Sequence, residues 1–199
     1  FLFTQTNEIM KSKSMKRLRA LSENPLRLVN LQNLQEAYDM VVAELEQLGF
    51  YDDRLYEVSV YLVPAGFALG WQHYGGDRSI CIPAISFDRL RTLVEWEPSE
   101  LPDVVRHEFG HAVADTHRGL FRSRRFSSVF GGSHESYKPL QYDPAKHVTA
   151  YAAKNPSEDF AEVFWLFVKH KGKLPRYYAT PAIEAKWRFI RELSRAIRQ

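Results

Sequence analysis

Hydrophobic positions along this chain change their period several times, and each change marks an element. From Leu31 onward, Leu34, Tyr38, Val41, Val42, Leu45 and Leu48 recur at helical spacing, with Asn30 placed to cap the start and Gly49 to end the run. The period then drops to two. Tyr56, Val58, Val60 and Leu62 alternate with Glu57, Ser59 and Tyr61 as far as Pro64, which predicts a half-buried strand. Residues 67 to 74 and 78 to 82 flank Gly75-Gly76-Asp77 and are expected to form a hairpin. Ser86 can cap a helix from Phe87 to about Glu95. After Pro98-Ser99, helical spacing returns from Pro102 to His117, with Val105, Phe109, Ala112 and Val113 on one stripe and Gly119 as the end.

Leu120 to Tyr142 shows no sustained period. It contains Gly131-Gly132, several serines and, at its entry, Arg118, Arg122, Arg124 and Arg125, so it reads as a long surface excursion and a candidate cleft rim. Asp143-Pro144 is expected to open a short helix carrying Tyr151. Asn155-Pro156 opens another, with Phe160, Val163, Phe164 and Phe167 facing inward, ended by Gly172 and Pro175. Thr180-Pro181 opens the last helix, whose stripe is Ile183, Trp187, Ile190 and Ile197, with basic residues outside it. The pattern predicts an α+β fold: a small, mostly antiparallel sheet over a central helix, followed by a helical C-terminal half.

Residues 1 to 24 fall outside these patterns. Lys11, Lys13, Lys16, Arg17 and Arg19 against Glu8 and Glu23 make them a basic arm or leader, which leaves residues 25 to 199 as the domain. With 45% hydrophobic and 26% charged residues the composition is globular, and a net charge of +3 is too small to imply nucleic acid or a membrane surface. Cys81 is the sole cysteine, which excludes an intrachain disulfide and a thiolate zinc knuckle. No apolar run reaches the ~18 residues of a membrane helix. A chain that starts without Met reads as processed or trimmed, so a secreted and a cytoplasmic home are both open. A monomer is expected.

Candidate chemistry concentrates in two stretches. His107 and His111 stand one turn apart on one helical face, separated by roughly 6 Å of rise, and can reach one ion. Glu108, one residue past the first, can flank that ion and polarise a bound water. This is the His-Glu-x-x-His signature of zinc metallopeptidases.

A third ligand is needed, and two candidates exist. His117 lies six residues after His111, the metzincin spacing, but Ala114 stands where that arrangement turns on glycine. The methionines Met10, Met15 and Met40 all precede the motif, so no Met-turn follows. Glu158 and Glu162, one turn apart on the second predicted helix, offer the alternative: one ligates and the other orients a histidine. A rival reading makes Glu158 the closing residue of an Asn155-Pro156-Ser157-Glu158 capping box. Glu162 could itself be the ligand, or a solvated carboxylate.

At this point the chain resembles the gluzincins. His107 to Asp115 is similar to the active helix of thermolysin-like enzymes and of the anthrax lethal factor group. Tyr151, seven residues before Glu158, together with Phe160-Ala161-Glu162, is similar to the lethal factor and Pro-Pro endopeptidase group. The resemblance implies a zincin-like fold, with His107, His111 and Glu158 as ligands of Zn2+. It further implies Glu108 as general base, Tyr151 as partner of the oxyanion and Glu162 as the residue that orients a ligand histidine. It spans roughly residues 104 to 168 and departs from the pattern at Asp159-Phe160, where two aromatics are usual. It carries no substrate class.

The activity so implied is endopeptidase cleavage of a peptide or protein substrate. The substrate is expected to add as a strand to an edge at Arg78 to Ile82. Two other readings compete. One is a non-catalytic, zinc-stabilised binding module that uses the basic face of Lys186, Arg188, Arg191, Arg195 and Arg198. The other is a latent proenzyme held off by the arm. Tyr151 also has a plain reading as a core tyrosine, and Asp115 as a structural anchor. His73, His134, His147 and His170 read as surface or core residues, with His134 the one placed to line a cleft. The four arginines from 118 to 125 read as a solvated face or as a contact for acidic substrate.

Overall fold

The computed structural model describes residues 27–74, 77–94 and 98–198. The basic arm at 1–24, and with it the proenzyme reading, lies outside the described residues, as do Gly75 and Gly76.

Helix α1 (Leu31–Leu48) runs as its apolar spacing predicts. Asn30 accepts from the Asn33 amide, Asn33 returns the bond to Asn30, and Gly49 ends the helix at φ +77°. Asp52 then caps a single helical turn, α2 (Asp53–Tyr56), so Tyr56 is not part of the strand predicted there. The strand β1 (Ser59–Val63) keeps the expected alternation, with Val60 and Leu62 packed on the core and Ser59 and Tyr61 exposed. β2 (Gly70–Tyr74) and β3 (Asp77–Pro83) follow, and α3 (Phe87–Leu93) starts on the Ser86 cap.

The sheet is mixed, not mostly antiparallel. Its order is β1-β3-β2: β2 pairs antiparallel with β3, placing Tyr74 opposite Asp77, whereas β1 pairs parallel with β3, placing Tyr61 opposite Cys81. The connection through Pro64 and Gly66 carries the chain past the central position, which β3 fills afterwards. Arg78 to Ile82 is therefore a central segment bonded on both sides, and the edge next to the central helix is β2.

That helix, α4 (Leu101–Thr116), is buried around most of its circumference. One side faces α1, where the buried Arg106 guanidinium bonds the Glu44 carboxylate at 2.8 and 2.9 Å and Asp103 at 2.8 Å. Asp103 also accepts from Ser99 and Lys169, so this network ties α1, α4 and the end of a later helix together. Against another side of α4 lies α7 (Pro156–Lys169). The crossing is close because residue 110 is glycine: a Cβ there would stand 3.1 Å from the Ala161 Cα and 3.3 Å from the Phe164 ring.

Between α4 and α7 the structure departs from the expected long excursion. Two short helices, α5 (Arg118–Phe121) and α6 (Arg124–Phe130), bury Phe121, Phe126 and Phe130 against Phe160 and Phe189, with ring centroids 4.6 to 6.3 Å apart. Only the part from Gly131 onward is loop. The short helix expected from Asp143 is a turn, and Tyr151 sits instead on a 3-10 turn, Tyr151–Lys154, directly before α7.

The final helix, α8 (Pro181–Ile197), buries Ile183, Trp187, Ile190 and Leu193, while Ile197 is partly buried. Lys186 is also buried, against expectation. Its ammonium meets Asp159 Oδ2 at 2.5 Å and the Lys146 carbonyl, and burial pushes the Asp159 carboxyl up and the Lys186 ammonium down. The architecture is α+β, with a small three-stranded mixed sheet and a helical C-terminal half. Among the described residues no helix is long and apolar enough to cross a membrane.

Candidate metal centre

Two helices deliver the site. α4 holds His107 and His111 one turn apart on the side facing a cleft of about 610 Å³. α7 brings Glu158 to them from its first turn, where the Asn155 side chain accepts from the amides of Ser157 (2.9 Å) and Glu158 (3.0 Å) and Pro156 occupies the first position. The cap is thus made by Asn155, and the Glu158 carboxylate points at the histidines. Its Oε2 lies 3.3 Å from Nε2 of His107 and 3.3 Å from Nε2 of His111, and those two nitrogens are 3.2 Å apart. Buried Glu158 Oε2 makes no aligned hydrogen bond. Three donor atoms converging on one point, one of them an orphaned carboxylate oxygen, form a group that could hold a metal ion.

The surrounding side chains fix the rings. His107 Nδ1 lies 2.9 Å from Oε1 of the fully buried Glu162, and Thr149 donates its hydroxyl to the other Glu162 oxygen at 2.6 Å. His111 Nδ1 lies 3.3 Å from Ser157 Oγ, which in turn lies 3.1 Å from His134 Nε2. Burial works to lower the His107 value, but Glu158 and Glu162 outweigh it and hold the ring up at about 10. Burial works to raise Glu158, but the imidazoles of His107 and His111 hold its carboxyl well below the usual range. Burial and the neighbouring His111 push His134 down to about 4.

Glu108 turns towards β2. Its Oε2 accepts from the Trp71 backbone amide at 2.7 Å, on a strand that forms a sheet edge among the described residues. The approach depends on Gly70, which has φ +83° and whose added Cβ would stand 2.9 Å from the same oxygen. Tyr151 lines the cleft with its ring 6.0 Å from that of His107, and the Lys154 ammonium lies over its face.

The other candidates fall elsewhere. α4 continues through Ala114, and His117 ends it away from the cluster, buried, with Nε2 3.1 Å from Asp52 Oδ2 and Nδ1 beside Thr116. Asp115 pairs with Arg118 and lies 3.7 Å from Arg78 and 3.5 Å from His73, so it serves as an anchor. His147 is buried and accepts from the Asp143 amide, and His170 is partly exposed. His134 does line the cleft, as do Arg118 and Arg122 of the four arginines. Sequence reasoning missed Thr149, Ser157, Gly70 and Trp71. The first two are ordinary hydroxyl residues with no spacing signal, and the last two act through backbone.

Comparison with protein-family models, with curated proteins and with solved structures finds no match.

Proposed function

We propose that this chain is a zinc-dependent endopeptidase of the gluzincin type on a zincin-like fold, acting on peptide or protein substrates. The observation that carries the reading is the donor triangle of 3.2, 3.3 and 3.3 Å beside a carboxylate that is not part of it. Zinc bonds of about 2.0 to 2.1 Å in tetrahedral geometry imply ligand separations of about 3.3 to 3.4 Å. The triangle has the size of one face of such a tetrahedron, and two neutral imidazoles with one carboxylate are a donor set suited to zinc.

When bound, zinc would polarise the scissile carbonyl and make a water molecule acidic enough to attack near neutral pH. The chain's own residues supply the rest. Glu162 accepts the Nδ1 proton of His107, leaving the Nε2 lone pair towards the ion, and Thr149 holds Glu162 in turn. Trp71 fixes one oxygen of Glu108, so Oε1 is the atom that takes the water proton and passes it to the leaving amine. Tyr151, on the cleft wall, would donate its hydroxyl to the oxygen that gains charge. The free edge of β2, in place of Arg78 to Ile82, is the strand along which an extended substrate would lie.

A zinc-stabilised binding module is less well supported. Lys186 is withdrawn from the basic face of α8 by Asp159, and a purely structural site closes its fourth position, whereas this triangle opens onto a cleft. The test is Glu108→Gln, assayed for zinc content and for cleavage of a peptide library. Retention of about one zinc per chain with loss of cleavage is expected, and undiminished cleavage by the variant would overturn the mechanism.

A further inference from the structure

The two histidines of the cluster are secured by different chemistry. His107 leans on a carboxylate, whereas His111 leans on a hydroxyl that is shared with a third imidazole. Both members of that second support are held in place independently of the cluster. Ser157 sits in the first turn of α7 with its amide on Asn155, so its hydroxyl is not needed to cap the helix. The His134 ring stands edge-on between Phe121 (5.3 Å, 68°) and Phe126 (5.5 Å, 66°), both buried in the core. It is an inward-turned residue on a stretch whose next members, Glu135 and Tyr137, are exposed.

Counting protons gives the arrangement a direction. If His111 presents the Nε2 lone pair to an ion, Nδ1 carries its proton and donates to Ser157 Oγ. The hydroxyl proton of Ser157 can then be donated to His134 Nε2, 3.1 Å away, with the His134 proton on Nδ1. With the other His134 tautomer the hydroxyl would accept from both imidazoles and donate to neither.

We propose that Ser157 and His134 form a positioning relay that sets the tautomer and orientation of His111 and ties the cleft rim at residues 134–137 to the metal site. The proposal rests on the reading of His107, His111 and Glu158 as zinc ligands. Ser157 and His134 lie outside the set of donor atoms and act through His111.

The experiment measures zinc affinity by competition with a chromophoric chelator and reads the imidazole tautomers from 15N shifts of the zinc-loaded protein. The variants are Ser157→Ala, Ser157→Thr, which keeps the hydroxyl, and His134→Phe, which keeps the aromatic packing but removes the acceptor. Loss of an orienting partner typically weakens metal binding ~10- to 100-fold. Ser157→Ala and His134→Phe are expected to show that loss and Ser157→Thr to bind near the wild-type level, with His134 leaving its Nδ1–H form in Ser157→Ala. Wild-type affinity in both Ser157→Ala and His134→Phe, or equal weakening in Ser157→Thr and Ser157→Ala, would overturn the relay while leaving the zinc site standing. Failure of the wild type to take up zinc would overturn the metal reading, and the relay with it.

Discussion

Glu158 and His117 both stand as third-ligand candidates in sequence, and the structure separates them by position and by side-chain surroundings. Glu158 Oε2 is buried without an aligned hydrogen bond, while His117 has both ring nitrogens engaged by Thr116, the Val113 carbonyl and Asp52. Glu158→Ala should therefore leave two ligands and bind zinc far more weakly. Glu162→Ala should lose about 10- to 100-fold. His117→Ala should keep full affinity while losing on the order of 1–2 kcal/mol of stability from its broken hydrogen bonds. Zinc titration alongside urea unfolding ranks the three, and a ranking with His117→Ala worst would reverse the ligand assignment. The proposed ligands and Glu108 are legible from residue type and spacing because helical geometry converts spacing into a shared face. Ser157, Thr149 and His134 are not, because each is joined to its histidine or glutamate by tertiary contact alone.

Among the elements, α1, α4, α7 and α8 lie within a residue or two of their expected bounds, since period and caps state them locally. The antiparallel pairing of β2 with β3 follows from the hairpin pattern, but the parallel pairing of β1 is not legible. Alternation in β1 says which residues face the core but nothing of which strand lies alongside. The segment from 118 to 130 was misread for a different reason: Gly119 and Ser123 break it into pieces too short to show a period, and three phenylalanines do their work in the packing. α4 and α7 meet through Gly110, and both carry proposed ligands, so their separation would govern the site. Gly110→Ala would gain up to about 1 kcal/mol in helix propensity. The added methyl, however, meets backbone at 3.1 Å, and overpacking of that kind costs about 1–3 kcal/mol. A net loss of stability together with weaker zinc binding is expected, read from a urea midpoint and a zinc titration; a raised midpoint would contradict it.

For the whole molecule, the proton and the proposed metal would compete for one place. The His107 value of about 10 stands above its ordinary 6.5 because two carboxylates embrace the ring, despite its burial. A raised folded value means that this arrangement stabilises the metal-free protein fully below pH 6.5, and the contribution is lost as pH rises through about 10. Zinc requires the neutral ring, so its affinity should climb across that same window, with a proton released on binding near pH 7. Calorimetric titration in buffers of different ionisation heat counts that proton, and a count of zero would refute the coupling. The hydrophobic core is extensive without any ion, so a chelator should lower the unfolding temperature while leaving a cooperative transition.

The Arg106 network gives α4 a second consequence. Arg106 precedes His107, yet it is bound to Glu44 and Asp103 on another side of the helix, and Asp103 is held by Lys169. Anchorage and the proposed chemistry thus fall on different sides of one helix. A lineage under selection, or a designer, can exchange the ligand set for one that suits another ion without dismantling what keeps α4 in place. In this domain the side of α4 that bears the proposed site would be a replaceable part.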